Sequence, residues 1–379
     1  MDYSLFSGFT LIYGPPGSGK TSLALHIARK LGDNIMYIGM YENREKILSK
    51  LGYLGLDPSV YKIYDFINVK DRSAVIKLIG EEFVQEAPSV VVIDGINYFP
   101  QDRETLSAIY RTFDVPVIAV GEEDTRRSPL AYIVDVLLEV RQIISRGSRY
   151  RVARFLKSRT GQPPAAEFRF VVTSGGIVFV EPWSSLKLGD PLGKLPMRRV
   201  QLEAPELAEL RAGSRTAYFV DEDPESCRIM ASLLCDYADA VKAALIEFRR
   251  GLEMPEGCRA EGAVIPPKDL GDERGLDELK DSIGDAGAAL LYGLDEALGG
   301  LDRRRVQYVL DFLSSWRREL MTVAAFVGAP PSPELMGMFN AVWHIGGGRA
   351  ELLKSRLFPA HRSFCVEKRG EVYRLAVCP

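Results

Sequence analysis

No run of apolar residues in this 379-residue chain approaches the roughly 18–20 needed to cross a bilayer, so no transmembrane helix is expected. Its five cysteines, Cys227, Cys235, Cys258, Cys365 and Cys378, all fall in the second half with no Cys-x-x-Cys pair. That spacing argues against a zinc site and leaves buried free thiols as the expectation. The start, MDYSLFSGFT, lacks the basic stretch and cleavage site of a secretory signal, and a cytoplasmic location is expected. Nor is there an excess of positive charge. A formal net charge of −3 speaks against a strongly nucleic-acid-binding surface and leaves room only for a local basic stripe. Asn and Gln are scarce and Arg outnumbers Lys about two to one, a weak thermophile signal.

What is present is ample core. A hydrophobic fraction of 46% with 26% charged residues excludes disorder for most of the chain, and its length predicts two domains. In the first half, FTLIYG, NIMYIGMY, SVVVIDGI and VPVIAVG read as strands. The helical stretches GKTSLALHIARKLG, SAVIKLIGEEFVQEA and RETLSAIYRTF fall between them. This alternation predicts an α/β fold with a mostly parallel, helix-covered sheet, finished by antiparallel strands from DVLLEV to GIVFV. The boundaries are read as a domain over 1–181, a linker over 182–214 in which QLEAPELAELRAGS is a polar helix or linker, and a domain over 215–379. Residues 255–285, rich in Gly, Pro and acids, read as an insertion or mobile loop. The two halves also align. RFLKSRTGQPPAAEFRFVVTSGGIVFV answers to ELLKSRLFPAHRSFCVEKRGEVYRLAV, which suggests a duplicated domain.

The strongest motif is GPPGSGKT, directly after a strand and opening a helix. Its glycines let backbone N–H groups turn inward around phosphates, and the helix N-terminus adds its dipole. Gly14, Pro15, Pro16, Gly17, Ser18, Gly19, Lys20, Thr21 and Ser22 are the candidate residues for binding ATP. Lys20 is placed to reach the β- and γ-phosphates, and Thr21 to ligate Mg. Asp94, ending VVVID, is the second candidate Mg residue. Gly95 follows it where an AAA-type ATPase has its catalytic Glu. Glu42, at the end of the second strand, is the candidate to orient or deprotonate the attacking water.

Taken together, these residues and DVLLEV…RFLKSR…EFRFVVTSGGIVFV resemble the KaiC-like branch of the RecA superfamily, an archaeal-type group that includes RadA-like proteins. The resemblance spans roughly residues 8–181. Asp135 fits the Asp opening one family strand, Lys157 and Arg159 its Lys-x-Arg, and Gly176-Ile177 its closing turn. It implies a RecA-like P-loop ATPase core in which Lys157 and Arg159 reach a neighbouring subunit's nucleotide as a finger in trans. Two cations two residues apart on a strand do share a face. The chain departs from the family in having one acid, Glu42, where two are common, and a shortened leader. Slow hydrolysis is therefore expected.

The second half loses the motif. Alignment puts Cys227 at the place of Lys20 and Arg228 at that of Thr21, with Asp221, Glu222, Asp223 and Glu225 in the turn. Only Asp295 and Glu296, slightly late, stand near the place of Asp94. A degenerate RecA-like domain without a second ATP site is expected, with Lys354 and Arg356 kept for structure or for a neighbour's nucleotide. Three functions stay open. The first is a regulatory or signalling ATPase that switches contacts to a protein partner or forms a homo-oligomer. The second is a RadA-paralogue-like ATPase of recombination, binding single-stranded DNA through the basic run 141–159, with Tyr150 and Phe155 interleaved and Arg149, Arg151 and Arg154 on the backbone. The third is a small-molecule kinase, for which no acceptor pocket is visible.

Overall fold

The computed structural model describes residues 2–67, 72–145, 148–181, 189–265, 270, 272–297, 303–356 and 360–378. The chain divides into two compact units, residues 1–180 and 181–379.

The first unit runs β1 (Phe9–Tyr13), α1 (Lys20–Leu31), β2 (Ile35–Gly39), α2 (Arg44–Tyr53), β3 (Tyr61–Asp65), α3 (Arg72–Glu86) and β4 (Val90–Asp94). It continues with α4 (Arg103–Thr112), β5 (Val117–Gly121), α5 (Leu130–Ile133), β6 (Val136–Ser145), β7 (Ser148–Ser158), β8 (Glu167–Thr173) and β9 (Gly176–Val180). The sheet order is β3-β2-β4-β5-β1-β6-β7-β8-β9, parallel as far as β6 and antiparallel beyond it. Strands β1, β2 and β5 are buried along their whole length, because helices cover both faces. Alternation sends Ile12 and Tyr37 to the face where Leu23 and Ile27 of α1 pack, and Leu11 and Ile38 to the face held by Val75 and Leu106. Helix α2 and strand β3 had no clear sequence signal. On β3 only Tyr61 and Ile63 are buried, as suits a half-covered edge strand.

The second unit opens with β10 (Pro191–Lys194), β11 (Val200–Leu202), β12 (Glu209–Arg211), β13 (Arg215–Val220), α6 (Pro224–Ala240), β14 (Ala243–Glu247) and β15 (Glu261–Val264). Then come α7 (Glu273–Ile283), β16 (Ala288–Tyr292), α8 (Leu294–Ala297), α9 (Arg303–Trp316), β17 (Met321–Val327) and α10 (Pro333–Met336). It ends with β18 (Ala341–Gly346), β19 (Arg349–Ser355), β20 (Arg362–Arg369) and β21 (Val372–Val377). Its sheet is ordered β15-β14-β16-β17-β13-β18-β19-β20-β21, with β11 added beside β21. Counted from each unit's central strand, β1 or β13, this is the order of the first sheet.

The details agree as well. Thr10 pairs with Val136 and Thr216 with Ala341, and the register of the next strand pair slips at Leu137/Leu138 and at Val342/Trp343. Asp135 Oδ2 accepts the Phe9 N–H at 3.0 Å, as Asn340 Oδ1 accepts that of Arg215 at 2.7 Å.

Three expectations need correction. The described part of the stretch read as a linker carries β10, β11 and β12 and a short 3-10 turn, not a polar helix, and β11 joins the second sheet through β21. The stretch 255–285 holds β15 and α7, whose Leu276, Leu279 and Ile283 are buried; its many acids lie on the helix's other faces or pair, as Asp277 does with Lys280 at 2.8 Å. The thiols are not free except at Cys227. Cys235 is bridged to Cys258 and Cys365 to Cys378.

Cys235–Cys258 ties α6 to the irregular stretch before β15 and closes a loop with a sequence separation of 23. Removing such a cross-link costs about 3 kcal/mol in the chain-entropy account. The double variant Cys235→Ala/Cys258→Ala is therefore expected to melt roughly 10 °C lower, read by calorimetry on the second unit's transition.

Candidate nucleotide site

The loop between β1 and α1 owes its shape to glycine. Gly14, Gly17 and Gly19 have φ of 152°, 75° and 93°, values that L side chains rarely adopt. A Cβ on Gly19 would also meet the Arg151 side chain at 2.8 Å. Glycine at these three positions is what the positive φ values favour. Lys20, the first residue of α1, folds back so that Nζ donates to the carbonyls of Gly14 at 2.8 Å and Pro15 at 2.9 Å. Desolvation lowers its pKa, and the charges of Asp94 and Glu122 oppose that shift. Ser18 Oγ is buried without a hydrogen-bond partner. An ammonium bent onto its own loop and an orphaned hydroxyl are what a cradle for phosphate oxygens leaves behind. The residues present fit a nucleotide.

Asp94 ends β4 next to α1. Its Oδ2 accepts from Thr21 Oγ1 at 2.8 Å and from the Tyr37 hydroxyl at 2.7 Å. Desolvation raises its pKa, while the bonds from Tyr37 and Thr21 lower it and Glu42 adds like-charge repulsion. Thr21 and Asp94 are thus already in contact where a magnesium ion would be held. Burial pushes the Tyr37 hydroxyl well above its usual range, so Tyr37 acts as a fixed donor to Asp94. Sequence reasoning missed this residue; its one signal was a tyrosine in the otherwise aliphatic strand beside β4.

Asp94→Asn is expected to leave the nucleotide-free protein as stable or more stable at neutral pH, because a buried carboxylate with a raised pKa is costly to ionise. The same change is expected to abolish the melting-temperature rise that Mg-ATP produces. For the unmodified protein the raised pKa sets the sign. Stability from the protonated Asp94 is present at low pH and lost as pH rises through the folded-state value, while magnesium affinity grows over that interval. Thermal shift across pH, with and without Mg-ATP, reads all of these effects.

Gly95 has φ 104°, and a Cβ there would lie 2.8 Å from both Met40 and Tyr41. No side chain fits at the position after Asp94. A carboxylate for the attacking water must come from elsewhere. Glu42 follows β2, forms an ion pair with Lys50 of α2, and is close enough for its charge to act on Asp94. Glu122, after β5, was not foreseen. Asn97 Oδ1 accepts its N–H at 2.8 Å, and its charge favours the ammonium of Lys20.

The remaining basic residues fall in two places. Arg151 lies across Gly19, beside the phosphate loop. Lys157 and Arg159 lie at the other end of the sheet. Lys157 sits opposite Leu137 near the start of β6, whereas the loop follows the end of β1, which runs parallel to β6. They do not reach the chain's own phosphate loop. Lys157 Nζ donates to the Ala131 and Tyr132 carbonyls at 3.2 and 2.9 Å, and Arg159 reaches the Tyr132 carbonyl at 3.3 Å, which closes the end of α5. Lys354 does the same in the second unit, donating to Met336 at the end of α10 at 2.7 Å.

The corresponding turn of the second unit differs from the sequence alignment. Helix α6 starts at Pro224, so residues 221–223 replace the five residues 15–19, and none of the three has a positive φ. Cys227 and Arg228 therefore stand one turn inside the helix and not in the places of Lys20 and Thr21. A Pro at the first helical position and Asp223 as its cap set this earlier start. Asp223 Oδ1 accepts the N–H groups of Glu225 at 3.0 Å and Ser226 at 2.9 Å. Burial pushes this carboxyl up, and the bonds from Ser226 and Glu225 outweigh it, for a net lowering. The chain supplies its own anion to the helix N-terminus. Asp221 pairs with His344 Nε2 at 3.0 Å and Glu222 with Arg249. Strand register places Tyr292 where Asp94 stands in the first unit, while Asp295 accepts the Val327 N–H at 3.2 Å.

A model of the ATPase family associated with various cellular activities (AAA) matches residues 10–120, the stretch from β1 to β5. A comparison with curated proteins found no match. With the mostly parallel sheet, this match supports a P-loop NTPase core in the first unit and, with it, ATP binding, usually with magnesium. Among the described residues no helix is long and apolar enough to cross a membrane.

Proposed function

We propose that the chain is a KaiC-like member of the RecA superfamily that binds Mg-ATP in its first unit, hydrolyses it slowly, and signals its nucleotide state to a protein partner. The observation that carries this reading is the contact of Thr21 and Tyr37 with Asp94 beside Lys20 and an orphaned Ser18 hydroxyl. Lys20 and the loop N–H groups bind and orient the phosphates, and magnesium, when bound at Thr21 and Asp94, neutralises charge on them. Glu42 holds the attacking water and takes its proton once released from Lys50. That exchange of partners supports slow turnover. The antiparallel strands β6–β9 with their Lys-x-Arg favour the KaiC-like branch.

The second unit is read as a duplicate that kept its strand order and lost its nucleotide site. The shared order, the shared register slip and the Asp135/Asn340 equivalence support this. The single-stranded DNA reading gains nothing from the hairpin, where Arg151 lies on Gly19 and Arg154 pairs with Glu167 at 3.0 Å. Two disulfides in a cytoplasmic protein would fit a hyperthermophile.

Lys157 and Arg159 are proposed to serve a neighbouring copy's nucleotide as well as their own α5. Mg-dependent ATP turnover measured over a range of protein concentrations tests this. Specific activity is expected to rise with assembly and to drop in Arg159→Ala. A flat specific activity removes the role in trans, and absence of Mg-dependent turnover removes the ATPase reading.

A further inference from the structure

Asn340 lies just before β18, where the first unit has Asp135. Its Oδ1 accepts the Arg215 N–H at 2.7 Å. That bond fixes the amide's orientation, because the flipped amide would set two donors face to face. Nδ2 is therefore a donor, and it has no hydrogen-bond partner although the residue is only 6% exposed. An unmet donor at such depth is costly, and native structures rarely carry one without a reason. A second such donor belongs to Arg211. Arg211 uses its terminal nitrogens on the Gly189 carbonyl and on Glu209, while its Nε is buried and unpartnered.

Both residues line one cleft at the start of β13, at the opposite end of the sheet from the acidic turn 221–223. The cleft is open to solvent, and its volume is about 50 Å³. Its lining carries two guanidinium groups, Arg211 and Arg356, and one carboxylate, Glu209, which already pairs with Arg211 at 3.2 Å. Trp343, Tyr237 and Leu207 form its apolar side, and these three also border a second, largely apolar cavity lined by Leu195, Met197 and Leu375. Donors facing an apolar wall across one cleft are features of small-molecule sites.

We propose that this cleft binds a small organic carboxylate with an apolar body, its head group on Asn340 Nδ2 and Arg211 and its body against Trp343 and Leu207. A carboxylate has two acceptor oxygens, one for each unpartnered donor. The first unit makes no such site from the same position. Asp135 presents a carboxylate in place of the amide, and Gly8 lies against it so closely that a Cβ there would sit 2.6 Å from Oδ2. The second unit has thus exchanged a nucleotide site at one end of its sheet for a ligand site at the other.

Octanoate, titrated calorimetrically into the full-length protein, is the probe. One molecule is expected to bind per chain, with acetate, which lacks the body, and 1-octanol, which lacks the charge, each at least about tenfold weaker. Asn340→Asp keeps the acceptor for the Arg215 N–H and copies Asp135, but sets a like charge against the head group. It is expected to weaken octanoate at least about tenfold without altering ATP binding. Arg211→Gln is expected to do the same and decides the matter if the first variant does not fold. Equal affinity in the variants, non-saturable uptake, or no octanoate binding with only water in the cleft would each overturn the proposal.

Discussion

Replacing Lys20 by Ala is expected to abolish Mg-ATP turnover, by about a hundredfold or more, and to remove ATP-dependent stabilisation of the first unit. The expectation rests on what the ammonium does in the nucleotide-free site. It is drawn out of water and its pKa is lowered, yet among the described residues its hydrogen bonds go to two carbonyls of its own loop. Phosphate oxygens offer it full negative charge in the same place, so binding exchanges weak partners for strong ones. Fold should survive, because the loop's shape comes from three glycines with positive φ and not from the lysine. Intrinsic melting of the nucleotide-free variant, unchanged within a few degrees, separates loss of binding from loss of structure.

In the second unit the largest effect is expected from Asp311→Ala. Arg215 starts β13 with its side chain 1% exposed and its guanidinium 3.3 Å from Asp311 Oδ1. It also donates to Ser314 Oγ and to the Leu310 carbonyl, both at 2.6 Å. Desolvation pushes the guanidinium pKa down to about 10, and Asp311 opposes the shift. Deleting the carboxylate leaves a buried charge without its counter-ion, a change that typically costs about 3–5 kcal/mol. Calorimetry should show the second unit's transition lowered by roughly 10 °C or more, with ATP affinity unchanged. The double variant Arg215→Met/Asp311→Leu, which removes both charges, is expected to recover most of that loss.

The sequence discloses local features of this chain and hides those made by distance. The phosphate loop is eight adjacent residues whose glycines carry the geometry, and Asp94 ends an unmistakable buried strand. Both stand where expected, in contact through Thr21. Tyr37, Glu122 and Arg151 reach the same site from β2, the end of β5 and β7; an aromatic in an aliphatic strand was the one signal for Tyr37, and nothing in their neighbours' identity marks the other two. Edge strand β3 buries too little to show a pattern. The two disulfides join cysteines with separations of 23 and 13 in no recognisable framework, and only the fold brings each pair together. The acidic turn shows the limit of residue-by-residue alignment. Composition revealed that the glycines were gone, but not that the turn was two residues shorter and capped by Asp223. Those facts displaced Cys227 and Arg228 from the places assigned to them. Conversely, the repeated Leu-Lys-Ser-Arg stretch marked equivalent positions well, because its lysine closes a short helix in both units.

The central claim is that nucleotide belongs to the first unit alone, the second having filled its helix N-terminus with its own carboxylate. Equilibrium binding of ATP in the presence of magnesium, counted per chain in the unmodified protein and in Lys20→Ala, tests it most directly. One site per chain, falling to none in the variant, is the predicted result. Two sites per chain, or a site that persists when Lys20 is gone, would contradict it.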